Sequence, residues 1–160
     1  MSGPKLELES FLPYRLNVLA TVVSTGLSNI YTNRYGFGIP EWRVIATLGQ
    51  FGAMTAKEIG AHSHMHKTKV SRAVASLTKR RLIQRRANRQ DLREAFLSLT
   101  VQGTAIYDDL VPVAQRFAAE LASGLTAAEA EQLDALLAKL TDRSRNLARG
   151  EVLADADPAT

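Results

Sequence analysis

Lys67, Thr68, Lys69, Ser71, Arg72, Ser76 and Lys79 gather ammonium, guanidinium and hydroxyl donors in one stretch of helix length. A second cluster follows at once with Arg85, Arg86 and Arg89. Between Met54 and Arg93 the chain carries eleven Lys and Arg against two acids, Glu58 and Asp91. Chemistry so rich in donors suits a polyanion, because Arg and Lys bond guanine edges or phosphates and small residues let a backbone come close. Such a block is expected to meet nucleic acid. Taken alone, the stretch fits a solvated amphipathic helix equally well.

The elements that position these groups are legible in the spacing. Thr55-Ala-Lys-Glu58 fits a capping box and starts a short helix anchored by Ile59. Gly60 permits close packing, and His62 to His66 should turn a corner. Val70, Val74 and Leu77 then fall at i, i+4 and i+7 and share one face of a second helix. Thr68, Arg72, Ala75, Ser76 and Lys79 lie opposite, with Lys69 and Ser71 toward the flanks. Leu82–Ala87 and Ala95–Leu99 read as strands of a hairpin, the second alternating as a half-buried strand does. Asn88–Arg93 between them is too basic for a core. It suits insertion beside a duplex, with Arg89 at the tip near the narrow minor groove. Asp91 and Arg93 are expected to pair across the loop base and order this wing; a surface pair of this kind contributes about 0–1 kcal/mol.

Asp91-x-Arg93-x-x-x-Leu97-x-Leu99-Thr100-x-x-Gly103 resembles the wing-to-helix motif of the multiple-antibiotic-resistance regulator (MarR) family. Upstream, Met54-Thr-x-x-Glu-Ile, Lys-Thr-Lys-Val-Ser-Arg72 and Leu77-x-x-x-x-Leu-Ile-x-Arg85 resemble that family's helix-turn-helix. The resemblance is strong over about residues 40–103. Leu92 departs from it where many members carry a charge, which leaves Arg89 as the better wing contact. His66 departs where an Asp or Ser cap is common, which questions the cap of the second helix. The resemblance implies a mostly α fold with a small β-hairpin wing, a winged helix-turn-helix that dimerises through its N- and C-terminal helices. It also implies bacterial origin and sensing of small aromatic or phenolic acids, or their coenzyme A thioesters.

The flanking segments agree with that architecture. Leu12, Leu16, Leu19, Val23, Leu27 and Ile30 step by three and four along a helix over about 11–35, with Pro13 in its first turn and Gly36 and Gly38 ending it. Pro40–Gln50 is a helix with Trp42, Ile45 and Leu48 inward, and Gly52 and Ala53 lead on through a very short strand. Thr100 should cap a helix striped by Ile106, Leu110, Val113 and Phe117, kinked at Pro112 and ended by Gly124. Thr126-Ala-Ala-Glu129 is a second capping box, opening a helix with Leu133, Leu136, Leu137, Leu140 and Leu147 on one face. Met1–Glu9 reads as a loose lead and Glu151–Thr160 as a frayed tail. The expectation is one domain over 1–160, with dimerisation helices at about 11–35 and 104–148 and a DNA-binding lobe at about 40–100. The surplus apolar faces predict a homodimer whose recognition helices sit about 34–36 Å apart on double-stranded DNA, reading a palindrome.

Net charge is only +4, yet eight acids from Glu120 onward face Lys139, Arg143, Arg145 and Arg149, so the charge is segregated. Without cysteine, disulfide and thiol-switch chemistry are excluded. The first ten residues do not read as a signal peptide and no apolar run approaches ~20 residues, so a cytoplasmic protein without membrane association is expected.

Other chemistry is weaker. His62-x-His64-x-His66 has donors that bind Zn²⁺, but no carboxylate or thiol adjoins them. Polar or phosphate contacts are the expectation, with a metal-responsive regulator as an alternative. No catalytic motif or cofactor loop occurs; Gly36-Phe-Gly38 precedes a proline and is no dinucleotide loop. Tyr14, Asn17, Tyr31, Arg34, Tyr35, Trp42 and Arg43 combine aromatic walls with arginines that suit a carboxylate or phosphate ligand. Phe11-Leu-Pro-Tyr-Arg-Leu16 and Ile39-Pro-Glu-Trp-Arg43 resemble regulators of aromatic acid catabolism, including those answering hydroxycinnamoyl-CoA. A ligand-responsive repressor is therefore expected; a non-specific architectural DNA binder remains the other reading.

Overall fold

The structure, a computed structural model, describes residues 5–89, 91 and 93–149. The lead before residue 5, the wing position Leu92 and the tail from Glu151 lie outside the described residues. The chain divides into two compact units, Met1–Gln115 and Arg116–Thr160.

In the first unit, α1 (Leu12–Tyr35) has proline in its first turn and ends at Gly36, whose φ of 66° lets its N–H reach the Thr32 carbonyl. Helix α2 (Ile39–Phe51) starts where the Glu41 carboxylate accepts the Gly38 N–H at 3.2 Å. Next come β1 (Met54–Thr55), α3 (Ala56–Ser63) and α4 (Lys67–Lys79). Strands β2 (Ile83–Ala87) and β3 (Ala95–Leu99) form the hairpin, and α5 (Val101–Ala122) follows it. The short third strand is thus Met54–Thr55, just past the Gly52–Ala53 pair. The first hairpin strand begins one residue later than expected, because Leu82 is held in the turn by its N–H to the Leu77 carbonyl at 3.0 Å.

The sheet is antiparallel in the order β1-β3-β2, with Met54 opposite Leu97, Ile83 opposite Leu99 and Ala87 opposite Ala95. Its buried face and helices α2 to α4 enclose Val44, Ile45, Leu48, Ile59, Val70, Val74, Leu77, Leu82 and Leu97. A fully buried side chain of this size contributes roughly 1.5–3 kcal/mol. Residues outside the expected helix stripes join them, among them Tyr31, Val44, and Ala73, whose small side chain widens the buried face of α4. Trp42 is only half-buried. Helix α1 meets this core through Leu27, Tyr31 and Tyr35, whereas Leu12, Leu16 and Leu19 are 47%, 38% and 57% exposed. Helix α5 reaches it through Leu110.

The second unit holds the end of α5 and α6 (Ala127–Ala148). The α6 box is complete: Glu129 accepts the Thr126 N–H at 2.8 Å, and its own N–H donates to the Thr126 hydroxyl at 3.3 Å. Among the described residues α6 buries no side chain, and Leu133, Leu136 and Leu137 are 44%, 56% and 46% exposed. Helix α5 runs unbroken through Pro112, which removes the N–H that would have served the Asp108 carbonyl. Among the described residues no helix is long and apolar enough to cross a membrane.

The tightest packing lies where α5 begins. A β-carbon on Gly103 would overlap the Leu82 carbonyl oxygen, a backbone atom with nowhere to go. Gly103→Ala should therefore destabilise the protein by about 1–3 kcal/mol in urea unfolding. Gly124→Ala, with no atom near its added carbon, should stay within ~0.5 kcal/mol of wild type. Equal stability of the two variants would show that the junction is slack.

Candidate nucleic-acid interface

Thr55 sets the start of α3. Its N–H donates to the Glu58 carboxylate at 2.7 Å, its hydroxyl donates at 2.9 Å, and the Glu58 N–H returns to that hydroxyl oxygen at 3.2 Å. The Thr55 N–H and then its hydroxyl hold the Glu58 carboxyl below the usual carboxylate range. Contrary to a corner running from His62 to His66, α3 continues through Ser63. His62 is helical and its ring packs against Phe51, tilted by 34° with ring centres 4.1 Å apart. The turn falls on His64, left-handed at φ 51°.

His66 does cap the second helix. Its Nδ1 accepts the Thr68 N–H at 3.3 Å, so an imidazole takes the place of the usual Asp or Ser. The two faces of α4 then divide as the spacing predicts. Val70, Ala73, Val74 and Leu77 are buried, while Lys67, Thr68, Lys69, Ser71, Arg72, Ala75 and Lys79 are exposed. Ser76 is half-buried, a poorer position for reaching a phosphate.

On the wing, neighbouring strand residues point to opposite faces. Arg85 lines a groove of about 970 Å³ together with Lys57, Lys67, Ser71 and Arg93. Arg86 lies over the Phe96 ring at 5.9 Å, so the two arginines do not act on one face. Arg89 is exposed beyond the end of β2. Asp91 and Arg93 meet differently from expectation: the Arg93 backbone N–H donates to Asp91 Oδ1 at 3.0 Å, and among the described residues no ion pair joins them. An Asx-type turn tightens the loop through the backbone and leaves the Arg93 guanidinium to the groove.

The expected ligand residues separate into groups. Tyr31 stacks on Trp42 with ring centres 5.6 Å apart. Burial raises the Tyr31 phenol above its ordinary range, and the Arg43 charge opposes that shift. Arg34 Nη1 and the Tyr35 hydroxyl both donate to Asp109 Oδ2, at 2.9 and 2.8 Å. These two donors, the hydroxyl foremost, hold the Asp109 carboxyl below its usual range. Tyr14 and Asn17 do not join either group within the chain, since Asn17 lies roughly 21 Å before Tyr31 along a helix rising 1.5 Å per residue. Asp109, Phe37 and Arg80 were not singled out from sequence; no local spacing links residues 35, 80 and 109. The three histidines take separate posts, and among the described residues no His, Cys, Asp or Glu group converges as a metal site.

A basic helix exposed beside a basic hairpin, on a three-helix and three-strand lobe, defines a winged helix-turn-helix DNA-binding protein. Residues 35–94 match the family model described as MarR family. The fold is similar to a MarR/EmrR family transcriptional regulator from Acinetobacter sp. ADP1, at 26% identity and a TM-score of 0.80, over 88% of this chain and 99% of that one. A MarR family transcriptional regulator from Silicibacter pomeroyi DSS-3 shares 26% identity at a TM-score of 0.74, over 86% and 98%. PcaV from Streptomyces coelicolor shares the fold at 17% identity and a TM-score of 0.72, over 88% and 99%. No curated protein matches the sequence. Residues 35–94 thus carry a MarR-type winged helix-turn-helix lobe, and the fold as a whole is similar to that of MarR family transcriptional regulators.

The histidine cap gives a direct test. His66→Ala should cost about 0.5–2 kcal/mol of stability, and His66→Ser should equal or exceed wild type, because serine is a stronger N-cap. Thermal unfolding of the three proteins decides it; an Ala variant as stable as wild type would remove the cap from the account.

Proposed function

We propose that this chain acts as a homodimer that binds a palindromic DNA site sequence-specifically and represses transcription until a small ligand releases it. The carrying observation is the division of α4, which buries Val70, Ala73, Val74 and Leu77 and leaves Thr68, Lys69 and Arg72 exposed together. In this reading Thr68, Lys69 and Arg72 approach base edges. Lys67, Ser71, Ser76, Lys79, Arg85 and Arg86 meet phosphates, and Arg89 enters the minor groove. Asp91 and Arg93 hold the wing. The 160 residues work as one functional domain, with the α1 and α5–α6 segments serving dimerisation and the lobe serving DNA. The exposed leucines of α1 and α6 support the dimer, since contiguous apolar faces mark interaction sites.

The ligand is proposed to be a small aromatic or phenolic acid or its coenzyme A thioester. The Tyr31–Trp42 stack and the nearby Arg43 charge support this choice. PcaV, of the same fold, is seen in complex with its natural ligand. Arg34 and Tyr35 extend the proposed lining, and Tyr14 and Asn17, remote from Tyr31 along α1, would join it only across the proposed dimer.

Selection of bound duplexes from a random pool tests specificity. A palindrome should emerge; recovery of no preferred sequence, together with a steep salt dependence, would identify an architectural binder instead. Arg72→Ala should then lose about 1–3 kcal/mol of discrimination at one base pair per half-site. Equal weakening on every sequence would reassign Arg72 to a phosphate. Leu136→Glu should convert the dimer to a monomer by native mass spectrometry at micromolar concentration, with loss of affinity for the full palindrome. A persistent dimer would move the interface away from α6.

A further inference from the structure

Lys79-Arg80-Arg81 at the end of α4 reads as an undivided cationic run. The structure divides it. Lys79 ends the exposed face of α4, Arg81 turns the chain in the left-handed region at φ 59°, and Arg80 runs back to the end of α1. There Arg80 Nη2 donates to the Tyr35 backbone carbonyl at 2.6 Å. Its guanidinium also lies 4.5 Å from the centre of the Phe37 ring. Phe37 is itself fixed: it is 1% exposed, stacks on Tyr35 with ring centres 5.6 Å apart, and its carbonyl accepts the Thr32 hydroxyl at 2.7 Å. A planar guanidinium with a carbonyl at its edge and an aromatic ring at its face is held in two directions at once, which an ammonium cannot match.

We propose that Arg80 is a positioning residue for DNA binding, fixing the C-terminal end of the recognition helix to the α1–α2 turn without touching DNA. The Tyr35 carbonyl belongs to α1, so the anchor ties the base-reading element directly to a helix outside the helix-turn-helix. The same Tyr35 holds Asp109 of α5 through its hydroxyl. The inference rests on the sequence-specific reading above only for its second readout. A phosphate-contacting arginine is the competing role, and it makes opposite demands on the lysine variant.

Arg80→Ala and Arg80→Lys are compared with wild type, with thermal unfolding verifying that each folds. Hydrogen exchange on the free proteins comes first. Both variants should speed exchange at the Gly36, Arg80 and Arg81 amides by roughly fivefold or more, with Ile45 and Leu48 unchanged. Unchanged exchange at those three amides overturns the proposal whatever the DNA result. Binding is then measured over a salt series to a duplex selected by the wild-type protein and to a scrambled duplex. The ratio of the two affinities should fall roughly tenfold in both variants, as expected for losing a charge-assisted hydrogen bond and a cation–π contact. The salt slope should not move. A wild-type-like lysine variant, with an alanine variant whose slope drops by about 0.9, would instead make Arg80 a phosphate contact and overturn the proposal. If wild type itself fails to prefer any duplex, sequence-specific binding fails, and the exchange result alone decides the anchor.

Discussion

The Leu82 backbone is where the recognition helix, the wing and α5 meet. Its N–H closes the end of α4 on the Leu77 carbonyl at 3.0 Å. Its carbonyl accepts the Thr100 N–H at 3.0 Å, which joins the start of the first hairpin strand to the end of the second. The Thr100 hydroxyl has one proton to give. It directs that proton to the Arg81 carbonyl at 2.8 Å, with the Leu82 carbonyl at 3.2 Å as a weaker second acceptor. The same oxygen then accepts the Gly103 N–H at 3.1 Å and caps α5. A buried carbonyl left without these partners costs about 1–3 kcal/mol. The junction therefore resists any movement of the wing independent of α4, and the arginines of β2 keep a fixed relation to the donors of α4.

That fixed relation matters more than net charge. At physiological ionic strength charges are screened beyond about 8 Å, so a total of +4 says little about what a phosphate meets. Locally, the groove between α4 and the hairpin collects Lys57, Lys67, Arg85 and Arg93 around one acid, Glu94. Not all cations of the basic block line this groove. Arg86 covers Phe96, and Arg80 is directed to Tyr35 and Phe37. The effective positive face is smaller than the residue count suggests, and more strictly oriented.

The legible parts of the sequence were those governed by local rules. Thr55 with Glu58 and Thr126 with Glu129 announce helix starts three residues ahead, and the i, i+4, i+7 spacing of Val70, Val74 and Leu77 gives the inward face of α4. The alternation Ala95–Leu99 gives the strand. Where the reading went astray, a backbone group competed with a side chain. Asp91 and Arg93 suggest an ion pair by charge, yet the nearer Arg93 N–H takes the carboxylate first. His62 looked like part of a turn by its company, but α3 runs on through His62 and Ser63 before His64 bends the chain. The Arg80–Tyr35 and Tyr35–Asp109 contacts span 45 and 74 residues, and no periodicity encodes a partner at such separations.

Asp109 also sets terms for any anionic ligand approaching the end of α1. The Arg34 guanidinium already has a carboxylate 2.9 Å away, and that carboxylate is held ionised by the Tyr35 hydroxyl as well. An incoming carboxylate would exchange one such partner for another, a trade close to neutral for groups this exposed, where ion pairs contribute about 0–1 kcal/mol. Net affinity would have to come from elsewhere. Covering apolar surface supplies about 25 cal/mol per Å², so an aromatic ring set against the half-buried Trp42 outweighs the charge exchange. On these terms the ring of the proposed aromatic acid would provide the affinity and its carboxylate the orientation. A small aliphatic acid, lacking the ring, would bind at this end of α1 far more weakly.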